Sequence, residues 1–323
     1  MLRSSRARRL LLPAAVAAVM LAGCGSSVPA PSGGGPAGST AGAGASSGHS
    51  TVAVVATTNV YASIASTIGG DRVQASAILD KPSADPHSFE AAPKDQVKIA
   101  QAQLVIANGG GYDDFANQMV DAAHPKPQLI DAAEVSGLQE SSGAGTFNEH
   151  VFYSTDAMRK LGAAIAAKLG ELDPADKAIF TKNADGFAAK LAELDLRAAA
   201  IKTTHPGVKA LVTEPVADYL LQEAGITDLT PKGYSQAIES ENDPSAKDIA
   251  EVDGLIRNKS AGLLVYNEQT TGPVPDRVRQ QAEKSGVPVL AVTETLPAGT
   301  TDYLTWMAGT IDALDKALTK TKP

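Results

Sequence analysis

The sequence predicts an α/β fold of two lobes, each a mostly parallel sheet flanked by helices, joined by one long rigid helix. Three observations carry that expectation. Short β-branched runs alternate with helical patterns of about ten residues from Thr51 to Ala107, the same alternation returns from Ala210 to the end, and an apolar stripe of helical period lies between them. A chain of 323 residues also exceeds one domain of ordinary size. Its 43% hydrophobic and 20% charged residues exclude a disordered or fibrous class, and with aromatics at 4% the cores fall to Ala, Val, Leu and Ile.

In the first lobe the pattern reads as a strand from Thr51 to Ala56, a helix from Asn59 to Ile68, a strand from Val73 to Leu79, a helix from Pro93 to Ala102 and a strand from Leu104 to Ala107. In the second, strands are expected at Leu211 to Thr213, Leu263 to Tyr266 and Pro288 to Val292, with helices at Val216 to Ala224, Ser245 to Arg257, Pro275 to Ser285 and Asp302 to Leu318. The helix opened by Pro93-Lys94-Asp95 leads to Leu104-Val105-Ile106-Ala107-Asn108, and the one with Pro244, Lys247 and Asp248 leads to Leu263-Leu264-Val265-Tyr266-Asn267. An internal duplication of one lobe explains this echo economically; chance similarity of two units is the alternative.

Between the halves, Asp173-Pro174 reads as an N-cap followed by proline at the first helical position. Phe180, Ala184, Phe187, Leu191, Leu194, Ala198 and Ile201 then form one apolar stripe on a helix of about 28 residues, roughly 42 Å long. Such a helix acts as a stiff strut.

The N-terminus reads as an export signal. Arg3, Arg6, Arg8 and Arg9 precede an apolar run from Leu10 to Leu21, which is too short for the ~20 residues of a retained span. Leu21-Ala22-Gly23 leads into Cys24, the single cysteine, in the pattern of a lipoprotein acylation site that anchors the chain to the outer face of the membrane. With one cysteine, no disulfide forms within the molecule. Residues 25–50 are almost wholly Gly, Ser, Ala, Pro and Thr, the composition of a flexible tether in which His49 is solvated. The expected organisation is therefore a signal at 1–23, a tether at 24–50, a first lobe at 51–172, the connecting helix at 173–203 and a second lobe at 204–323. Once the four arginines leave with the signal, the formal net charge moves from −8 to −12. That excludes nucleic acid as a partner and suits a protein that holds cations.

No phosphate loop, HExxH, Gly-x-Ser-x-Gly or paired-cysteine motif occurs. The chemistry-bearing residues are histidines and carboxylates in turns at strand ends, where α/β sheets bind ligands. His87 lies in Asp85-Pro86-His87-Ser88-Phe89-Glu90, with proline fixing the backbone and Asp85 placed to orient the ring. His150 lies in Asn148-Glu149-His150-Val151-Phe152-Tyr153. Either alone reads more readily as structural or merely exposed than as a ligand.

Together these segments resemble solute-binding protein family 9, the metal receptors of bacterial zinc and manganese ABC importers. Asp85-Pro86-His87 with Glu90 and Pro93 is similar to its first ligand motif, Glu149-His150-Val151-Phe152 to its second, and the long helix to its rigid connector. The resemblance, which covers about Thr51 to Leu318, implies two further ligands. Glu214, in Leu211-Val212-Thr213-Glu214, falls at the third ligand position, and Glu294, in Val292-Thr293-Glu294, at the fourth, where aspartate is more usual. Asn267 and Glu268 stand near a more commonly acidic position and are expected as pocket wall, while His124 and His205, each before a proline, are expected to be solvated.

What the resemblance implies is a non-enzymatic, monomeric receptor that carries Zn2+ or Mn2+ as cargo to an ABC permease and its ATPase. Two imidazoles and two carboxylates suit a divalent first-row ion on chemical grounds as well. The alternatives are a metal-dependent hydrolase using the same His/Glu cluster, with Glu294 as base, and an adhesin-like surface lipoprotein of the same fold.

Overall fold

The computed structural model describes residues 51–82, 89–141 and 147–319. The expected signal, Cys24, the tether and His87 with Asp85 lie outside the described residues.

The first lobe begins with β1 (Val52–Thr58), α1 (Asn59–Gly69), β2 (Val73–Leu79), α2 (Pro93–Gln101) and β3 (Leu104–Ala107). It continues through α3 (Phe115–Ala122), β4 (Gln128–Asp131), α4 (Ala132–Ser136), α5 (Leu138–Ser141) and α6 (Thr155–Leu172). After α7 (Lys177–Thr204), the second lobe runs through β5 (Lys209–Val212), α8 (Asp218–Glu223), β6 (Thr227–Asp228), α9 (Lys232–Glu239) and α10 (Ala246–Arg257). It ends with β7 (Leu263–Asn267), α11 (Pro273–Lys284), β8 (Val289–Val292) and α12 (Tyr303–Thr319). Each lobe contains one parallel sheet of four strands, ordered β2-β1-β3-β4 and β6-β5-β7-β8. The two orders are the same, so the echo between Leu104–Asn108 and Leu263–Asn267 is an echo of topology: both runs are the third strand of their sheet.

α7 has the 28 residues its stripe predicts, but it starts later than Asp173-Pro174. There the Asp173 carboxylate accepts from Ala175 N at 3.2 Å, closing a side-chain turn that competes with the helix, and Asp176 takes the N-cap position. Asp176 is buried and pairs with Arg72 Nε at 2.6 Å, which ties the start of α7 to the end of α1.

The two lobes do not each keep a core of their own. Val54, Ala56, Leu104 and Ile106 of the first sheet share one apolar cluster with Ala210, Val212, Leu263 and Val265 of the second, with the α7 stripe and with α12. Strand alternation sends the residues between them to the opposite face. Val55 and Val105 join a cluster under α2 and α3, and Leu211 and Leu264 one under α9, α10 and α11. Both sheets are thus covered on both faces, and their inner faces are glued through a common core. At roughly 1.5–3 kcal/mol for each fully buried large aliphatic side chain, that shared cluster opposes independent movement of the lobes. No helix among the described residues is long and apolar enough to cross a membrane.

Candidate metal centre

The strand ends of both sheets meet around His150. His150 precedes a single 3-10 turn, Val151–Tyr153, whose three side chains are wholly buried, and Ser154 then caps α6 by accepting from Ala157 N at 3.3 Å. Tyr153 OH donates to Thr293 O at 2.8 Å, so the segment carrying His150 is bonded to the residue just before Glu294. Within the first lobe Asn108, at the end of β3, donates from Nδ2 to Glu149 O at 3.0 Å and fixes the backbone beside the histidine.

The orientation of the imidazole is set by Asn148. Its Nδ2 donates across to Pro215 O at 2.7 Å, which leaves Oδ1 to accept from His150 N at 3.0 Å and to face His150 Nδ1 at 2.8 Å. The Nδ1 proton therefore points to Asn148, and Nε2 turns toward Glu294 Oε2, 3.5 Å away. Tyr112 packs its ring edge on His150 at 5.9 Å, and burial followed by the charge of Glu294 holds its hydroxyl pKa well above the ordinary value. It reaches there from Gly109-Gly110-Gly111, all at positive φ; a Cβ on Gly109 would stand 2.0 Å from Asp131 Oδ1, so only glycine fits.

In the second lobe Glu214 follows β5 and Glu294 follows β8. Asn267, the last residue of β7, lies between them and donates from Nδ2 to Glu214 Oε2 at 2.6 Å and to Glu294 Oε1 at 2.8 Å. All three are buried, with 3%, 0% and 1% exposure for Glu214, Glu294 and Asn267. Asn267 is therefore the bracket at the centre of the carboxylates rather than pocket wall, whereas Glu268 points to solvent. Gln269 completes the bracket. Its Oε1 accepts from Glu294 N, and its Nε2 donates to Thr295 Oγ1 at 2.8 Å and to Pro82 O at 3.0 Å.

This packing perturbs the ionisation of its members. Burial works against a charge on His150, yet the hydrogen bond and charge of Glu294, with the charges of Glu239 and Glu149, outweigh it and hold the pKa above the ordinary 6.5. Glu214 is pushed up to about 7, chiefly by burial and by the charge of Glu294, against the bonds from Asn267 and Thr270 and the charge of His150. On the other side of His150, Glu239 Oε1 lies 3.7 Å from Nδ1. A cavity of about 480 Å³ opens there, lined by Asn148, Asp218, Asp228, Lys232 and Glu239 among others. Asp218 is also raised to about 7, by burial first and then by the charge of Asp228.

Of the four expected ligands, the structure brings His150 and Glu294 together directly and joins Glu214 to Glu294 through one shared amide. His87 lies outside the described residues, and among the described residues no group of three His, Cys, Asp or Glu side chains is close enough to hold an ion by itself. His124 is exposed, as expected. His205 is not: it is 8% exposed at the C-terminal end of α7, where Nε2 meets Asp315 Oδ1 of α12 at 3.0 Å. Sequence reasoning missed Asn108, Tyr112, Asn148 and Gln269. The local signals were the run Asn108-Gly109-Gly110-Gly111-Tyr112, a strand end followed by three glycines, and the place of Asn148 in the motif around His150.

The chain matches the family model of the periplasmic zinc-uptake complex component A over residues 54–317. It is 27% identical over 257 residues to the metal ABC transporter substrate-binding lipoprotein ScbA of Streptococcus cristatus, covering 76% of this chain and 80% of that protein. It is 25% identical over 250 residues to the manganese ABC transporter substrate-binding lipoprotein PsaA of Streptococcus pneumoniae, covering 74% and 78%. Among solved structures it superposes on the periplasmic zinc binding protein TroA of Treponema pallidum with a TM-score of 0.70 at 19% identity, covering 83% of this chain and 99% of that one. The substrate-binding protein FpvC of Pseudomonas aeruginosa, solved with Mn2+, gives 0.69 at 23% identity, covering 84% and 100%.

Proposed function

The chain belongs to the family of the periplasmic zinc-uptake complex component A, and on that premise we propose that it captures Zn2+ or Mn2+ between its lobes and delivers it to an ABC importer. The reading makes it a binding receptor rather than an enzyme, and the hydrolase and adhesin alternatives are not favoured by the family. The observation that carries it is the approach of His150 Nε2 to Glu294 Oε2 at 3.5 Å, an imidazole and a carboxylate from different lobes facing each other in a buried site.

The proposed ligands are His87, His150, Glu214 and Glu294. Gln269 supports the inclusion of His87, because the side chain bonded to Glu294 N also holds Pro82 O, five residues before the histidine. Five residues of chain span at most about 18 Å. Two neutral imidazoles and two carboxylates balance a divalent charge, so the buried site is neutral when loaded. Nothing in that set requires a reaction; the ion is cargo.

The partners are an ABC permease with its ATPase, met at the outer face of the membrane by a monomeric receptor tethered through acylated Cys24. Relatives named as lipoproteins support the anchor. Metal analysis of the purified protein, followed by titration of the chelator-stripped protein, tests the reading. One ion per chain, lost in His150→Ala, is expected; a parent that binds neither zinc nor manganese overturns it.

A further inference from the structure

Asn148 touches both lobes, and the two ends of its amide do different things. On the first-lobe side Oδ1 accepts from His150 N at 3.0 Å and lies 2.8 Å from His150 Nδ1, so both of its lone pairs face the histidine. On the other side Nδ2 donates at 2.7 Å to the carbonyl oxygen of Pro215, the residue that follows Glu214. A second hydrogen bond joins the same two segments in the opposite direction, from Tyr219 OH to Asn148 O at 2.7 Å. The segments 148–150 and 214–219 are therefore tied through both the side chain and the main chain of Asn148. Pro215 O also accepts from Asp218 N, which closes the 3-10 turn Pro215–Ala217 without help from the amide. The bond from Asn148 serves to join the lobes.

We propose that Asn148 is a positioning residue that holds His150 and Glu214 in register across the two lobes, so that its bond to Pro215 O slows release of the ion. The inference rests on the reading of His150 and Glu214 as ligands proposed above. An imidazole that binds a metal commonly donates from its other nitrogen to a carboxylate, and aspartate is nearly the size of asparagine. A carboxylate at 148 would serve the ring as well or better. It has no proton for Pro215 O, however, and would set a negative charge against that carbonyl dipole. An amide does what a carboxylate cannot: it accepts from the histidine and donates to the other lobe at once. The shared core already opposes separation of the lobes, so the contacts between these two segments are not needed to hold the fold together. What they govern is how long two ligands carried by different lobes stay in place.

The test measures zinc dissociation from the full chain by transfer to excess chelator, and affinity by competition, for the parent, Asn148→Asp and Tyr219→Phe. A melt of each metal-free protein establishes folding. Zinc is the probe because it outranks manganese at a mixed nitrogen and oxygen site. Hydrogen-bond partners of metal ligands contribute roughly 10–100-fold in affinity, so Asn148→Asp should release zinc faster by about tenfold or more, with association little changed. The sign is diagnostic, since the added charge and the stronger acceptor for Nδ1–H would by themselves slow release. Long-range proton–nitrogen NMR of the zinc-loaded variant should still show a proton on His150 Nδ1, because its acceptor is kept. Tyr219→Phe removes the other bond between the segments, leaves Asn148 on the ring, and should speed release in the same direction; it carries the test should Asn148→Asp fail to fold. Release as slow as the parent's, or slower, in a folded variant overturns the inference. Faster release with the Nδ1 proton lost also overturns it, because ring orientation alone would then account for the effect. A parent that binds neither zinc nor manganese fails the proposed function instead.

Discussion

His150 Nε2, in the first lobe, stands 3.5 Å from Glu294 Oε2, in the second, with both side chains buried. A buried imidazole facing a buried carboxylate holds a proton between them when no ion is present, and the raised pKa of His150 states the same thing in titration terms. Metal and proton therefore compete for one place. The contact with Glu294 moves that competition above the ordinary histidine pKa of 6.5.

A pH dependence of stability follows, with a definite sign. His150, raised above 6.5, stabilises the metal-free fold at low pH and loses that contribution as pH rises through its folded value. Glu214, raised from 4.5 to about 7, ionises later in the folded chain than in the unfolded one, so its contribution also declines as pH rises between those values, by roughly 3 kcal/mol. The melting temperature of the chelator-stripped protein should fall as pH rises from about 4.5 to about 7 and on through the raised pKa of His150, while the increment added by zinc should grow. Thermal melts with and without zinc check both. A metal-free melting temperature that climbs across this range contradicts the assignment.

The four histidines outside the tether divide by role. His87→Ala and His150→Ala should each remove a metal bond and cripple binding. His124→Ala changes an exposed side chain and should leave both binding and stability as they are. His205→Ala should lower stability by about 1 kcal/mol, since a histidine at the C-terminal end of α7 is lost from beside Asp315, without altering metal affinity. Chelator-competition titration and urea unfolding of the set separate these outcomes, and equal affinity loss in all four would refute the division.

The shared core predicts that damage to α7 is felt by the whole fold. Leu191 is fully buried in the cluster that joins both sheets. Leu191→Ala should cost about 2–5 kcal/mol and move a single unfolding transition, with both lobes melting together. Calorimetry showing two separated transitions would mean that each lobe keeps a core of its own.

Cys24→Ala should leave the fold and metal binding unchanged and release the protein from the membrane. Fractionation of cells producing the variant, with mass analysis of the mature N-terminus, gives the answer; retention in the same lipid-modified form would exclude acylation at Cys24.

Much of this protein is legible in one dimension because the signals are local. Alternating β-branched and helical patterns mark three of the four strands of each sheet to within two residues, and the period of Phe180, Phe187, Leu191, Leu194, Ala198 and Ile201 marks a 28-residue helix with its buried face. The motif around His150 and the strand-end positions of Glu214 and Glu294 stand out for the same reason: a turn after a strand is written in neighbouring residues. Elements with weak local signatures, such as α6 and the two-residue β6, did not stand out.

What the chain determines by itself is therefore the alternation of elements, the length of the strut and the residue types available to an ion. Only the tertiary structure decides which of them act together. Asn267 engages Glu214, 53 positions away, and Glu294, 27 positions away; Tyr153 reaches Thr293 across 140, and His205 is buried against Asp315 across 110. The two sheets, separately encoded, close over one core whose members no periodicity links. Such contacts depend on how the inner faces pack. A pattern of three or four residues records which side of its own element a residue occupies, and holds no record of what the opposite element places there.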